Sequence, residues 1–153
     1  METFSRETAQ QLNPWYVTGL VEGEGSFTFS RSGNHMGLYF AIRLNDQDKE
    51  LLASIQRFFC GIGYLYPVKA HASDKGKTKA ACYYRVTCIN DLLKIVEHFD
   101  NYPLEGLKKR SFQVWRKMVM MKRDNFHKNH SDKLEILAGE LSSISPRNQI
   151  WHS

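Results

Sequence analysis

Cysteine is scarce and unarranged in this chain. Its three residues, Cys60, Cys82 and Cys88, are odd in number and never stand at C-x-x-C spacing, which argues against a disulfide framework and against a zinc ribbon. They read as reduced, half-buried residues of an intracellular protein. Long apolar runs are missing too, and none approaches the ~20 residues that a membrane-spanning helix needs. The opening residues carry an acid, Glu2, and no apolar segment of the secretory kind, so no secretory signal is expected. An organellar gene product needs no transit peptide, which keeps chloroplast, mitochondrion and bacterial cytoplasm all in view. No internal repeat is visible along the chain.

What is present suits a folded domain. Hydrophobic residues at 42% against charged residues at 24% separate the chain from disordered sequences. Its 153 residues suffice for one domain, 1–153, that buries a core without metal or disulfide staples. Lys and Arg number 21 against 16 Asp and Glu, a net charge of +5, and this modest basic excess suits nucleic acid without specifying it. The distribution says more. From Lys108 to Lys128 there are eight basic residues, including Lys108, Lys109 and Arg110, against the single acid Asp124. From Lys69 to Arg85, Lys69, Lys75, Lys77, Lys79 and Arg85 face only Asp74. A pair of solvated charge runs is the competing reading.

Asn13 followed by Pro14 predicts a capped helix from Pro14 to about Glu24, with Gly23 and Gly25 at its end. Phe27 and Phe29 alternate with Thr28 and Ser30 as in a half-buried strand, and Ser32-Gly33-Asn34 marks a turn. A second strand places Phe40, Ile42 and Leu44 on one face and Tyr39, Ala41, Arg43 and Asn45 on the other. Asp48 is the expected cap of a helix whose stripe is Leu51, Leu52, Ile55, Phe58 and Phe59, ending at Cys60-Gly61. A strand from Tyr64 to Val68 leads through a basic loop around Ser73 to Lys79 into a strand with Tyr84, Val86 and Cys88 opposed to Tyr83, Arg85 and Thr87. Asn90 is expected to cap a helix through Phe99, ended by Tyr102-Pro103. A basic helix from about Glu105 to Met121 and a last one from Asp132 to Ile144, capped by Ser131, complete an αββα-ββ-ααα order. This is an α+β pattern with a mostly antiparallel sheet. The core is expected at about 13–122, with a helical extension at about 123–153.

The alternation turns one sheet face toward the helices. The other carries Thr28, Ser30, Ser32, Arg43, Asn45, Lys69, His71, Tyr83, Arg85 and Thr87, side chains suited to base edges and phosphates in a major groove. An ordinary solvated sheet face is the alternative.

Residues 15–27 read Trp-Tyr-Val-Thr-Gly-Leu-Val-Glu-Gly-Glu-Gly-Ser-Phe. Gly19 and Gly23 share one helical face, and each costs about 0.5–1 kcal/mol relative to Ala in a helix interior. Close approach of another helix gives a reason to keep them. Glu22 and Glu24 follow at the helix C-terminus, where acids are disfavoured by the helix dipole unless a cation is near. Two apart, they point about 200° away from each other, so they form no carboxylate pair within one chain.

This string resembles the LAGLIDADG motif of homing endonucleases, here as Val17-Thr18-Gly19-Leu20-Val21-Glu22-Gly23-Glu24-Gly25. The likeness continues through Asp46-Gln47-Asp48-Lys49-Glu50-Leu51-Leu52, Gly61-Ile62-Gly63-Tyr64, Asp91-Leu92-Leu93-Lys94-Ile95 and Tyr102-Pro103-Leu104 with Lys108-Lys109, from about Trp15 to Met121. Thr18 replaces the usual small alanine, and glutamates stand for aspartates; threonine is also small, and glutamate is a frequent variant. The resemblance implies an αββαββα core with helices on one face of an antiparallel saddle, and motif helices paired across a two-fold axis through Tyr16, Gly19, Leu20 and Gly23. It further implies Glu24 as catalytic carboxylate, metal binding at Glu24 and Gly23, and Lys108 as the cation that steadies charge or the nucleophilic water. The polar position after the second strand falls on Asp46, with Gln47 one residue away, and Asp46 can equally belong to the helix-capping turn.

A single motif without a repeat then argues for a homodimer acting on a long, roughly palindromic duplex. The expected activity is intron-homing, Mg²⁺-dependent double-strand cleavage, with Mn²⁺ as a substitute ion and Lys75, Lys77, Lys79, Lys109 and Arg110 on the DNA. The rival reading is a non-cleaving DNA-binding protein, or an RNA maturase that has RNA as its partner. His127 and His130 have a metal-compatible spacing, but no Cys or second pair completes a site.

Overall fold

The computed structural model describes residues 11–70 and 79–144, the side chain of His127 apart. The chain runs α1 (Pro14–Glu24), β1 (Gly25–Ser32), β2 (His35–Asn45), a 3₁₀ turn (Asp46–Asp48), α2 (Lys49–Phe58), β3 (Tyr64–Val68), β4 (Ala81–Val86), α3 (Ile89–Asn101) and α4 (Leu107–Arg123). A second 3₁₀ turn (Phe126–Lys128) precedes α5 (Ser131–Ile144). Among the described residues the expected α+β order is present: five helices and one four-stranded sheet, ordered β1-β2-β4-β3, with every pairing antiparallel.

Local chemistry accounts for most of these boundaries. The Asn13 side chain accepts the Trp15 N–H at 2.9 Å and Pro14 opens α1, so the donor that proline lacks is never missed. Gly25 is extended rather than left-handed and leads directly into β1. A Cβ there would come within 2.5 Å of the Val21 side chain, so glycine is required by the tight helix-to-strand junction. Gly63 has φ +75, and its missing Cβ would meet the Arg85 carbonyl at 2.6 Å, which fixes the entry into β3.

Several expected caps lie elsewhere. Asp48 makes no side-chain cap bond to α2. Asn45, one turn earlier, accepts the Gln47 N–H at 2.9 Å and starts the 3₁₀ turn instead. Asn90 lies inside α3, which begins at Ile89 after an extended Cys88. β4 ends at Val86, so Thr87 and Cys88 lie beyond the strand and both are exposed. Cys82 is buried, but Cys60, with φ +61 in the turn after α2, is exposed.

The core lies between one face of the sheet and the helices. Phe27 of β1 sits at its centre, with the rings of Phe40, Phe99, Phe112 and Trp115 at 5.1–5.4 Å. Truncating such a ring costs about 3–5 kcal/mol. Trp115 is fully buried, and its indole N–H donates to the Thr28 carbonyl at 3.1 Å, which locks α4 against β1. The Met118, Met120 and Met121 cluster packs into this core as helix filling. Leu134, Ala138, Leu141 and Ile144 extend it onto α5, and Arg31 of β1 grips Glu135 of α5 through two bonds of 2.6 and 2.7 Å.

Tyr84 and Thr18 each find partners inside the fold, whereas Arg85 Nε is buried without one among the described residues. Tyr84 donates to the Ile62 carbonyl at 2.9 Å, and burial raises its phenol pKa. Thr18 donates to the Tyr102 carbonyl at 2.9 Å and stands 3.0 Å from His98 Nε2. With its only proton committed to Tyr102, the Thr18 hydroxyl must accept from His98, which places the imidazole proton on Nε2. Burial lowers the His98 pKa to about 4, so the ring is neutral. The departure from alanine at position 18 thus adds a polar bolt between α1 and α3.

Candidate active site

At the end of α1 the two motif acids diverge. The Glu22 carboxylate accepts the backbone N–H groups of Glu105, through a short bond, and of Gly106 at 3.0 Å. It thereby satisfies free donors at the start of α4. Gly106 is fitted to it: a Cβ there would stand 3.1 Å from Glu22 Oε2. Glu24 is exposed, and among the described residues its carboxylate takes no hydrogen bond or ion pair. It borders a recess of about 460 Å³ with Arg43, Asn45, Asp48 and Lys79.

Lys108 lies in the first turn of α4 and donates to the carbonyl of Gly25, the residue after Glu24. The helix dipole leaves that carbonyl end of α1 partly negative, and an ammonium belongs there. Lys108 is thereby tied to the same helix end that carries Glu24, although the two side chains border different recesses. Lys108, Glu22 and Gly23 border a second recess, of about 610 Å³, whose wall includes Thr28, Tyr39, Tyr83 and Arg85.

Asp46 and Gln47 fall in the 3₁₀ turn. Asp46 borders a different hollow with Lys49, Leu65 and Pro67, and Gln47 is exposed with its N–H on Asn45. The acid that shares the Glu24 recess is Asp48, which the sequence offered only as a helix cap.

The polar sheet face follows from the strand register. Thr28 lies opposite Tyr39, Ala41 opposite Arg85, and Arg43 opposite Tyr83. Ser26, Ser30, Ser32 and Asn45 share this face by alternation. Lys69 lies past the end of β3, and the alternation gives the face Tyr64 and Tyr66 instead. Those two rings were not among the residues singled out from sequence, although their parity with Val68 was the available signal. Lys79 precedes β4 and reaches the Glu24 recess, while His71, Lys75 and Lys77 lie outside the described residues. Lys109 and Arg110 are exposed in the first turn of α4.

The outer face of α1 is uncovered. Tyr16 is 47% exposed and Trp15 55%, and a Cβ on Gly19 or Gly23 would meet nothing within 4 Å. Leu20 is half-buried against the core. Among the described residues no cluster of three or more His, Cys, Asp or Glu side chains could hold a metal ion. His130 stacks on Phe126 at 3.8 Å, with Nδ1 3.2 Å from that residue's carbonyl. No described helix is long and apolar enough to cross a membrane.

Against known proteins, a family model described as LAGLIDADG endonuclease matches residues 17–119. "Probable intron-encoded endonuclease 2" of Neurospora crassa is 30% identical over 139 residues, 86% of this chain and 29% of that protein. "Uncharacterized 50.9 kDa protein in ND4 intron 1" of Podospora anserina is 31% identical over 125 residues, 76% of this chain and 26% of that protein. The chain thus spans less than a third of the length of these curated relatives. Among solved structures, the LAGLIDADG meganuclease I-AabMI bound to uncleaved DNA superposes with TM-score 0.70 at 29% identity, over 82% of this chain and 43% of that one. The homing endonuclease I-TnaI superposes with TM-score 0.70 at 26% identity, over 86% of this chain and 88% of that one.

Proposed function

Because the chain belongs to the LAGLIDADG endonuclease family, we propose that it cuts both strands of a long, near-palindromic DNA duplex as a homodimer, using a divalent metal. One observation carries the reading: Glu24 is a carboxylate that no described group engages, at an exposed helix end whose next carbonyl, that of Gly25, holds Lys108, with Arg43 and Lys79 bordering the Glu24 recess.

The donor set fits Mg²⁺. That ion takes one or two protein carboxylates and completes its shell with water and phosphate, and one chain offers Glu24, with Asp48 across the same recess. When bound, such an ion neutralises charge on the phosphate and makes its water more acidic. The protein's own residues do the rest. Glu24 holds negative charge where the phosphate must come, the Gly23 backbone lies beside it, and Lys108 brings an ammonium to the same helix end to steady the developing dianion. Asp46 or Gln47 is the proposed polar partner for the attacking water. Thr28, Ser30, Ser32, Asn45, Arg43, Tyr83 and Arg85 face base edges, while Lys69, Lys79, Thr87, Lys109 and Arg110 take backbone phosphates, joined by His71, Lys75 and Lys77.

A single chain offers one such helix end, and two strands must be cut. Pairing α1 with its copy through Tyr16, Gly19, Leu20 and Gly23 supplies the second. The relative named for an ND4 intron supports an intron-borne origin and, with it, an organellar compartment. The described segment acts as one endonuclease domain, with α5 as its extension. Incubation with duplex containing the uninterrupted insertion site, in Mg²⁺ and then in EDTA, tests the proposal. Metal-dependent double-strand cleavage is the expected result; duplex or RNA binding without cleavage overturns it.

A further inference from the structure

Four tyrosines occupy the polar face of the sheet, and their arrangement is ordered. Tyr66 of β3 is the register partner of Tyr83 of β4. Their rings lie 5.1 Å apart and nearly parallel, at 4°. Tyr64, two residues before Tyr66, continues the row at 5.7 Å and 30°. The Arg43 guanidinium lies over Tyr83 at 5.6 Å, and that of Arg85 lies on Tyr39 at 3.6 Å. Cross-strand stabilisation accounts for the Tyr66 and Tyr83 pair. It does not account for Tyr64, which is 45% exposed on the rim strand and extends the row outward.

We propose that the Tyr64–Tyr66–Tyr83 row is a thymine-reading surface, set beside the guanine-reading Arg43. The proposal rests on the DNA reading above and deepens it by naming bases. In the major groove only thymine presents a methyl group, and its preferred partner is an apolar surface. Mutually stacked rings form such a surface without further loss of side-chain freedom on binding. Exposed Arg43 is splinted by the Tyr83 ring, which orients its planar fork toward guanine O6 and N7, whereas Arg85 is held by Tyr39 through ring contact and a side-chain hydrogen bond. The face therefore selects a half-site in which thymines adjoin a guanine. Its tyrosine contacts, being uncharged, release no counterions.

The test uses the full chain and a randomised duplex library, with selection by binding in EDTA so that no cut occurs. The enriched half-site is expected to hold thymines that vanish when Tyr66→Ala is selected in parallel and persist for Tyr66→Phe, which keeps the ring. Replacing each such thymine by deoxyuridine removes only the methyl. Wild type should lose about fourfold in affinity per methyl, the worth of one buried carbon, and Tyr66→Ala should lose nothing further. The slope of log affinity against log salt should be equal for the two proteins. Equal deoxyuridine losses in wild type and Tyr66→Ala, or an enriched site without tyrosine-dependent thymines, overturns the assignment while leaving the DNA reading intact. Absence of duplex binding, or preference for single-stranded RNA, overturns both. Should Tyr66→Ala fail to fold, Tyr64→Ala on the exposed end of the row carries the same comparison.

Discussion

The Glu22 carboxylate holds the backbone of Gly106, accepting its N–H at 3.0 Å and that of Glu105 beside it. Two residues further along each chain segment stand Glu24 and Lys108. The first motif acid is therefore a strut that sets the distance between the second acid and the lysine. Changing Glu22 to Ala hands two exposed backbone donors to water and should cost about 0.5–1.5 kcal/mol in a denaturant titration. It should also slow single-turnover cleavage at saturating DNA. Glu22→Gln, which keeps an acceptor oxygen, should recover much of both, and a Gln variant as impaired as Ala would refute the strut.

Glu24 has the opposite character, since no described group engages its carboxylate. Glu24→Gln preserves shape and should leave the fold and DNA affinity within about threefold, while cleavage falls on the order of 10²-fold or more. Duplex binding and cleavage measured on the same preparation decide it; near-normal turnover removes Glu24 from the catalytic group.

On the sheet face, Arg43 and Lys109 should behave differently. Arg43→Ala is expected to relax preference at one base pair per half-site, a loss of about 1–3 kcal/mol in discrimination. Lys109→Ala should weaken all sequences alike and lower the salt slope of the dimer by about two, one for each protomer. Identical selection profiles for the two variants would contradict the assignment of base and phosphate contacts.

Gly19 separates intramolecular from intermolecular roles. A side chain there meets nothing within 4 Å in its own chain. Replacing a helix-interior glycine should raise helix stability by up to about 1 kcal/mol. Gly19→Leu is thus expected to fold normally and to sediment as a monomer, and the wild type is expected to sediment as a dimer. A dimeric Gly19→Leu protein would place the self-contact elsewhere.

His98 sets a pH dependence of known sign. Its pKa drops to about 4 in the folded chain because burial penalises the charged ring. The unfolded chain, near the ordinary 6.5, binds the proton more readily. This contribution is complete above pH 6.5 and is lost as the pH falls toward 4, at up to about 1.4 kcal/mol per pH unit. His98→Gln retains a donor for Thr18 and should flatten that slope in unfolding curves at pH 7.5, 6 and 5. An unchanged slope would assign the acid sensitivity to other groups.

Much of this was legible in the chain because alternation and capping are local. Phe27, Phe40 and Tyr84 declared the buried sheet face by period two, and Asn13-Pro14 fixed the start of α1. The caps at Asp48 and Asn90 were misplaced because several residues in each run carry suitable side chains, and backbone angles, not composition, choose among them. Asn45 wins over Asp48 because its backbone is extended where the 3₁₀ turn begins. The strut role of Glu22 has no local signature, since its partners stand 83 and 84 residues away. The tyrosine row was readable in principle, but β3 contains Pro67 and its outward residues matter only once β4 is known to be its neighbour.

The indole of Trp115 occupies the Thr28 carbonyl on one rim of the sheet. On the other rim β3 has just five residues and a proline among them. Both flanks are thereby poor templates for an added strand. Pairing of copies of this chain through their sheet edges into fibrous stacks is disfavoured in consequence.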